Sequence, residues 1–455
     1  MSESTRLGRA RGRMLSVAIL AAALTAMLVV APLASAASNP IAKGTTTLTI
    51  NSGFNNKTKK AGIKVTAVKP TKLKGTKAIF TVTGGQVDPT TGAGTVTHSG
   101  GLKLKWGKKS VALKAFEINT TAKSLSVKIG GKKVKLATLG GISSARLGFG
   151  NSITAKNAKL TSAGAKALNN KLTPAPKKTK VKKNGKTVTK TVKTKPAFKA
   201  NMVLGKTTTE VEPETVTVLP TGTMTFGGDP TVLGKLAKAG VTIETIAPTS
   251  ANNLTFTSPL SGGTISPAGT SGTVNSSGGL KLVQKLSLSA LNQQADTSIT
   301  LGSIGVDLAA KTASVEVIGE STFVEPGSNP KKQPLNLGNL GRSSIADLTI
   351  TGNTPSPATR TVSISATGAI QAVAAEVLNG FVKVHQIKRV EELTPEEAKK
   401  AAEEAFVKEG KVLSEDEAKA IGQKKAEEKA AAEAKELEIK AGESLGSFSF
   451  TAAGE

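Results

Sequence analysis

The sequence predicts an all-β protein of two tandem antiparallel β-sandwich domains, the first with a basic β-hairpin arm and the second with an α-helical hairpin arm. Two observations carry that prediction. Short runs of alternating apolar residues recur between glycines: Leu48 and Ile50, Ile63 and Val65, Leu102 and Leu104, Val111 and Leu113, then Leu125, Val127 and Ile129. Alternation turns one face of each run toward a core, and turn residues roughly every eight to twelve positions suit a sandwich or barrel.

The second observation is a duplication. Gly44-Thr45-Thr46-Thr47-Leu48 returns as Gly222-Thr223-Met224-Thr225-Phe226, and the stretch from Gly94 to Leu104 returns from Gly272 to Leu282, both at an offset of 178. A gap-free correspondence over about sixty positions is a repeated unit rather than shared composition. Further on, Lys123 to Val127 matches Lys311 to Val315 at an offset of 188, so the second copy holds a ten-residue insertion. Phe198 to Gly205 resembles Ile439 to Gly446, which makes Ser447-Phe448-Ser449-Phe450 a closing strand. Matching Leu160 to Ala165 with Ile364 to Ala369 predicts a late helix over 162–172 and a counterpart over 367–378. The expected domains are therefore 41–213 and 214–455, preceded by a leader over 1–36.

That leader has the order of a secretory signal peptide. Arg6, Arg9, Arg11 and Arg13 precede an apolar stretch over 14–31, and Ala34-Ser35-Ala36 supplies small residues for cleavage. An uncleaved anchor is the competing reading, because a stretch of that length can just span a bilayer. With cleavage, no transmembrane segment remains, and the expected location is secreted or attached to the cell envelope.

Each copy carries a different insert before its closing strand. In the first, over 177–193, Asn184-Gly185 suits a two-residue type I′ turn, which sets Val181 opposite Val188. In the second, over 394–436, Thr394, Pro395 and Glu397 read as a helix start, Gly410 as a stop, and Ser414 with Glu417 as a second start. Glu396/Lys400, Glu404/Lys408 and Glu415/Lys419 are favourable i,i+4 pairs on those helices.

Composition narrows the function. The chain has no Cys, no Tyr and two His, which excludes disulfides, Cys-based metal sites and Cys nucleophiles and leaves little for acid–base chemistry. No catalytic residue and no metal site is expected, and a non-enzymatic binding protein is the favoured class. Residues 41–200 hold 34 Lys+Arg against only Asp88 and Glu117, whereas residues 391–455 hold 10 basic against 17 acidic residues. After the leader the arginines are Arg146, Arg342, Arg360 and Arg389 alone. Base readout and bidentate phosphate clamping favour Arg, so sequence-specific nucleic-acid binding is not expected. Lysines suit diffuse attraction to an anionic cell-envelope polymer, with Lys177, Lys178, Lys180, Lys182, Lys183, Lys186 and Lys190 as the densest patch.

Gly84, Gly85, Val87 and Asp88, followed by Gly94, Val96, His98, Gly100, Gly101, Leu102 and Leu104, form an ordered motif. It resembles the Htaa domain of actinobacterial cell-surface haem-uptake proteins, in both copies. The resemblance implies a β-rich domain, export, and haem or a haem protein as partner, with iron held by a tyrosine assisted by a histidine. The sequence departs from that pattern. Where the family tends to have Phe followed by Tyr, it reads Phe54-Asn55-Asn56-Lys57, and the counterpart of His98 in the second copy is Ser276. Since a neutral imidazole can ligate haem iron by itself, His98 is the candidate haem residue. Two readings stay open: haem association centred on His98, or an envelope scaffold or adhesion protein that binds polyanions and has lost haem. His385, ahead of the acidic arm, is expected to be structural.

Overall fold

The structure is a computed structural model that describes residues 38–183, 186–192, 195–288, 293–323 and 333–455. The leader over 1–36 lies outside the described residues. Residues 38–455 form one compact unit that contains two large antiparallel sheets.

Each large sheet closes on itself. In the first copy, strand Lys109–Asn119 pairs with Gly94–His98 through Val96 and Ile118, and with Ser124–Ile129 through Leu113 and Ile129. Those partners are the two ends of a path running through Lys77–Val87, Asn39–Ile50, Val203–Pro213, Gly150–Leu160 and Lys132–Leu147. Eight strands therefore form a ring. The second copy repeats it, with Gln293–Asp307 pairing both Gly272–Ser276 and Thr312–Phe323. The expected sandwich is thus replaced by a barrel-like closed sheet. Alternation could not distinguish the two, because both bury every second residue, and closure has the advantage of leaving no sheet edge unpaired.

Outside each ring lies a two-stranded flap, Ile63–Val68 with Gly101–Trp106 and Val241–Ile246 with Gly279–Leu288. A short helix leads into each flap. In helix Ser52–Lys60 the Asn51 side chain accepts from the N–H groups of Gly53 and Phe54, and in helix Pro230–Lys238 Asp229 caps in the same way, with Pro230 in the first turn. The ten-residue insertion lengthens the second flap hairpin, whose tip over 289–292 lies outside the described residues.

The late helix of the first copy spans Ser162–Leu172, capped by Thr161. Its Asn169 side chain donates to the Phe198 carbonyl and accepts from the Phe198 N–H. Asn379 makes the same two bonds to Ile439. This matching pair of bonds makes Leu160 equivalent to Ile370, not to Ile364. Thr367 accordingly lies in strand Thr361–Ile370, and the second helix starts at Ala372. The preceding hairpin, Thr312–Phe323 with Gln333–Ser356, is longer than its first-copy counterpart and absorbs the difference: the Leu139 N–H donates to the Lys123 carbonyl, 16 residues back, and the Leu348 N–H to the Lys311 carbonyl, 37 residues back.

The helical arm also differs from expectation at its start. One helix of 38 residues runs from Ala372 to Glu409 through Pro395, and Thr394 donates its hydroxyl to the Val390 carbonyl at 2.6 Å instead of capping. A proline removes a single N–H, and the partner helix Glu415–Leu437 holds both sides of that point. Arg389 donates to Glu433 at 2.8 Å on one side, and Glu397, 3% exposed, accepts from Lys429 on the other. Gly410, at φ 62°, ends the helix, and Ser414 with Glu417 forms the capping box. Glu404 pairs across to Lys425 at 3.0 Å, not within its own helix to Lys408.

The basic arm is a separate two-stranded sheet, Lys177–Lys183 with Lys186–Val192, in which Val181 faces Val188. Residues 184–185 at its turn lie outside the described residues, as do the side chains of Lys177, Lys178, Lys180, Lys182, Lys183, Lys186 and Lys190.

Phe80, Val96, Ile118, Val127 and Leu160 lie at the centre of the first barrel, and Met224, Leu260, Ile265, Val274 and Ile364 at the centre of the second. At about 1.5–3 kcal/mol per large apolar side chain, burial of this kind is the main stabilising term. Phe149, on the turn between strands Lys132–Leu147 and Gly150–Leu160, is 5% exposed and packs in the second core, so the copies share apolar contact.

The repeated glycines answer to this fold. Gly100 and Gly278 sit at φ 80° and 81°, and a Cβ at either would collide with the hydroxyl and backbone N of Thr71 or Thr249. Gly100→Ala and Gly278→Ala are each expected to destabilise by about 3 kcal/mol, read as a lower denaturation midpoint.

Candidate functional site

His98 lies inside the first barrel at 5% exposure, not half-exposed on a strand surface as a Thr-rich strand beside Gly-Gly suggests. Its position follows from a bulge. Between Lys114 and Glu117 the register of strand Lys109–Asn119 shifts, Ala115 takes φ 46°, and the Phe116 carbonyl faces the imidazole. His98 Nδ1 lies 2.9 Å from that oxygen, which can only accept, so Nδ1 carries the proton and Nε2 is the acceptor. Thr46 Oγ1 lies 2.6 Å from Nε2 and donates to it. Thr46 in turn sits 2.9 Å from Thr209 Oγ1, which donates to it. The result is a directed chain of hydroxyl, hydroxyl, imidazole and carbonyl across the barrel interior. Phe80 packs edge-on to the ring at 6.1 Å.

The second copy meets the same need differently. Its bulge lies between Gly302 and Gly305, and Ile304 occupies the place of Phe116. Ser276 Oγ donates to the Ile304 carbonyl at 3.3 Å and accepts from the Ile304 N–H at 3.2 Å. The counterparts of Thr46 and Thr209 are Met224 and Phe450, 1% and 5% exposed. The polar chain of the first barrel is thus apolar in the second, apart from the one hydroxyl the bulge requires.

These contacts define what His98 can do. Both ring nitrogens are engaged, and a metal bond from Nε2 would displace the Thr46 hydroxyl. Burial pushes the imidazole below its usual pKa, and the bond to the Phe116 carbonyl only partly opposes that. The chain has no phenol, and among the described residues no group of three or more His, Asp or Glu could hold a metal ion. His385 lies on the helical arm, where partial burial and the Arg389 charge also lower its pKa. Asp88, held below its usual range by the N–H groups of Thr91 and Thr90, shapes the turn after strand Lys77–Val87.

Sequence reasoning missed an apolar cleft. It opens in the second copy between the short helix, the flap, the barrel wall and the first turns of the long helix, with a volume of about 160 Å³. Phe226, Val232, Leu236, Leu282, Leu301 and Leu378 are among its lining residues. The equivalent space in the first copy is about 50 Å³. Phe54 and Leu125 line it; at the first of these positions the second copy places Val232 in its cleft, whereas Ala313, at the second, does not line it. That signal was present in the aligned repeats, but nothing in the sequence places those positions around one space. The first-copy histidine and the second-copy cleft lie in different barrels, and the structure does not bring them together.

No protein-family model matches the chain, and no curated protein matches it in sequence. The solved structures it is similar to include three from Corynebacterium glutamicum. The C-terminal domain of HtaA is 13% identical over 52% of this chain and 98% of that one, with a TM-score of 0.28. The N-terminal domain of HtaA is 11% identical over 51% and 97%, with a TM-score of 0.27. The heme binding protein HtaB is 9% identical over 53% and 95%, with a TM-score of 0.25.

The depressed pKa of His98 has a stability consequence. The unfolded imidazole takes a proton near pH 6.5 and the folded one only at lower pH, so folding stability is complete above that point and is lost as pH falls through it. Full-length His98→Asn is expected to show a flatter dependence of the urea midpoint on pH between about 7 and 5 than wild type.

Proposed function

We propose that this chain is an exported, non-enzymatic binding protein of the Htaa type, tied to haem uptake through its family and without a protein bond to haem iron. The ordered motif from Gly84 to Leu104 supports the Htaa reading. The leader over 1–36 supports export. The observation that carries the second half is the saturated imidazole of His98, with Phe116 on one nitrogen and Thr46 on the other. The tyrosine that the family uses is absent. A haem cargo does not fit as an axially ligated group here. It does not fit whole in the second-copy cleft either, whose 160 Å³ falls below the roughly 300 Å³ at which pockets for drug-sized ligands begin. Its contact is with the protein surface or with a haem protein.

The test is a haemin titration of the full chain beside His98→Ala. The same weak change in the Soret band is expected for both. A strong band that His98→Ala abolishes would show that the imidazole leaves Thr46 to bind iron, and would overturn the reading.

The charge distribution favours a second activity, attraction to an anionic envelope polymer. Residues 171–200 hold 11 lysines and no acid, on and around the hairpin arm. Binding through such lysines releases counterions, so on a polyanion probe log affinity should fall linearly with log salt, at about 0.7–0.9 per phosphate neutralised. Deleting residues 179–190, which removes Lys180, Lys182, Lys183, Lys186 and Lys190, is expected to flatten that slope. A salt-independent affinity, or one indifferent to the deletion, would leave the lysines as solubilising residues only.

A further inference from the structure

We infer that the second-copy cleft is a binding site for a hydrocarbon group, the end of a single alkyl chain. This goes beyond the reading above, which assigns the cleft no ligand. The space is about 160 Å³. An apolar cavity of about 150 Å³ is known to stay dry and take up benzene, so the size suits about six carbons. Its lining is hydrocarbon almost throughout, and among the described residues Ser343 and Ser344 are the only lining residues with hydroxyls. Among the described residues no charged side chain lines it, so the buried part of the ligand carries no charge.

The comparison between copies argues that the cleft is built and not merely a packing fault. The same elements frame it in each barrel, and the tie from the late helix to Phe198 or Ile439, ahead of the closing strand, through Asn169 or Asn379 is kept. At the short-helix position that lines the space in both copies, Phe54 of the first is replaced by the smaller Val232 in the second. Entry is available from the first turn of the long helix, where the lining residue Val373 is 59% exposed. An exposed valine beside an apolar opening gives the rest of a chain a surface to lie on.

Hexan-1-ol is the probe, titrated into the full-length protein by saturation-transfer NMR beside Val232→Phe and Ala374→Leu, each of which puts bulk into the cleft. Wild type is expected to bind one equivalent saturably. Each variant should bind at least tenfold more weakly, with an unchanged circular dichroism spectrum and an equal or higher melting temperature. Two variants are used so that a folding failure in one leaves the other to decide. No saturable binding by wild type, a second equivalent of like affinity, or undiminished binding in a folded variant would overturn the assignment. Haemin spectra report on the Htaa reading separately, so failure of either leaves the other standing.

Discussion

The interior of each barrel depends on satisfying a bulge. Strands Lys109–Asn119 and Gln293–Asp307 each pair with two neighbours across the closure, and each breaks register to do so. A bulge leaves backbone groups without ladder partners, and an unpaired buried carbonyl costs about 1–3 kcal/mol. The residue on the facing strand must therefore be polar. His98 reaches the Phe116 carbonyl, and Ser276 reaches both backbone groups of Ile304. That requirement explains a buried histidine without recourse to a ligand. It also explains why the second copy, with no histidine there, keeps a hydroxyl.

From that constraint the copies diverge in opposite directions. A ring as large as imidazole has a second nitrogen to satisfy, and Thr46 with Thr209 continues the polar chain. A serine is satisfied at the bulge itself, so Met224 and Phe450 replace the threonines in the second copy. Near the flap the relation is reversed. There the first copy is filled by Phe54, and the second is opened by Val232. Duplication has kept the scaffold and redistributed polarity and volume within it.

Much of the scaffold was legible in the sequence. The strands, the repeat at an offset of 178, the late helix over 162–172 and the pairing of Val181 with Val188 rest on local patterns that the structure also displays. Closure was not legible, because one strand pairing with two distant partners leaves no mark on alternation. Nor was the start of the helical arm. Thr394 and Pro395 carry a strong local start signal, but tertiary pairing of Arg389 with Glu433 and Glu397 with Lys429 carries the helix through them. His98 stood out by residue type alone. Its burial depends on Phe116 and Thr209, 18 and 111 positions away, which no local reading brings to it.

The central claim is that His98 is a neutral, doubly bonded structural residue, and nitrogen-15 NMR of its imidazole tests it most directly. Long-range proton–nitrogen correlations should show the Nδ1–H tautomer, with no titration as pH falls through about 6.5 and no broadening on addition of haemin. A ring that titrates as a free imidazole, or one whose Nε2 signal is lost in proportion to added haemin, would contradict the account.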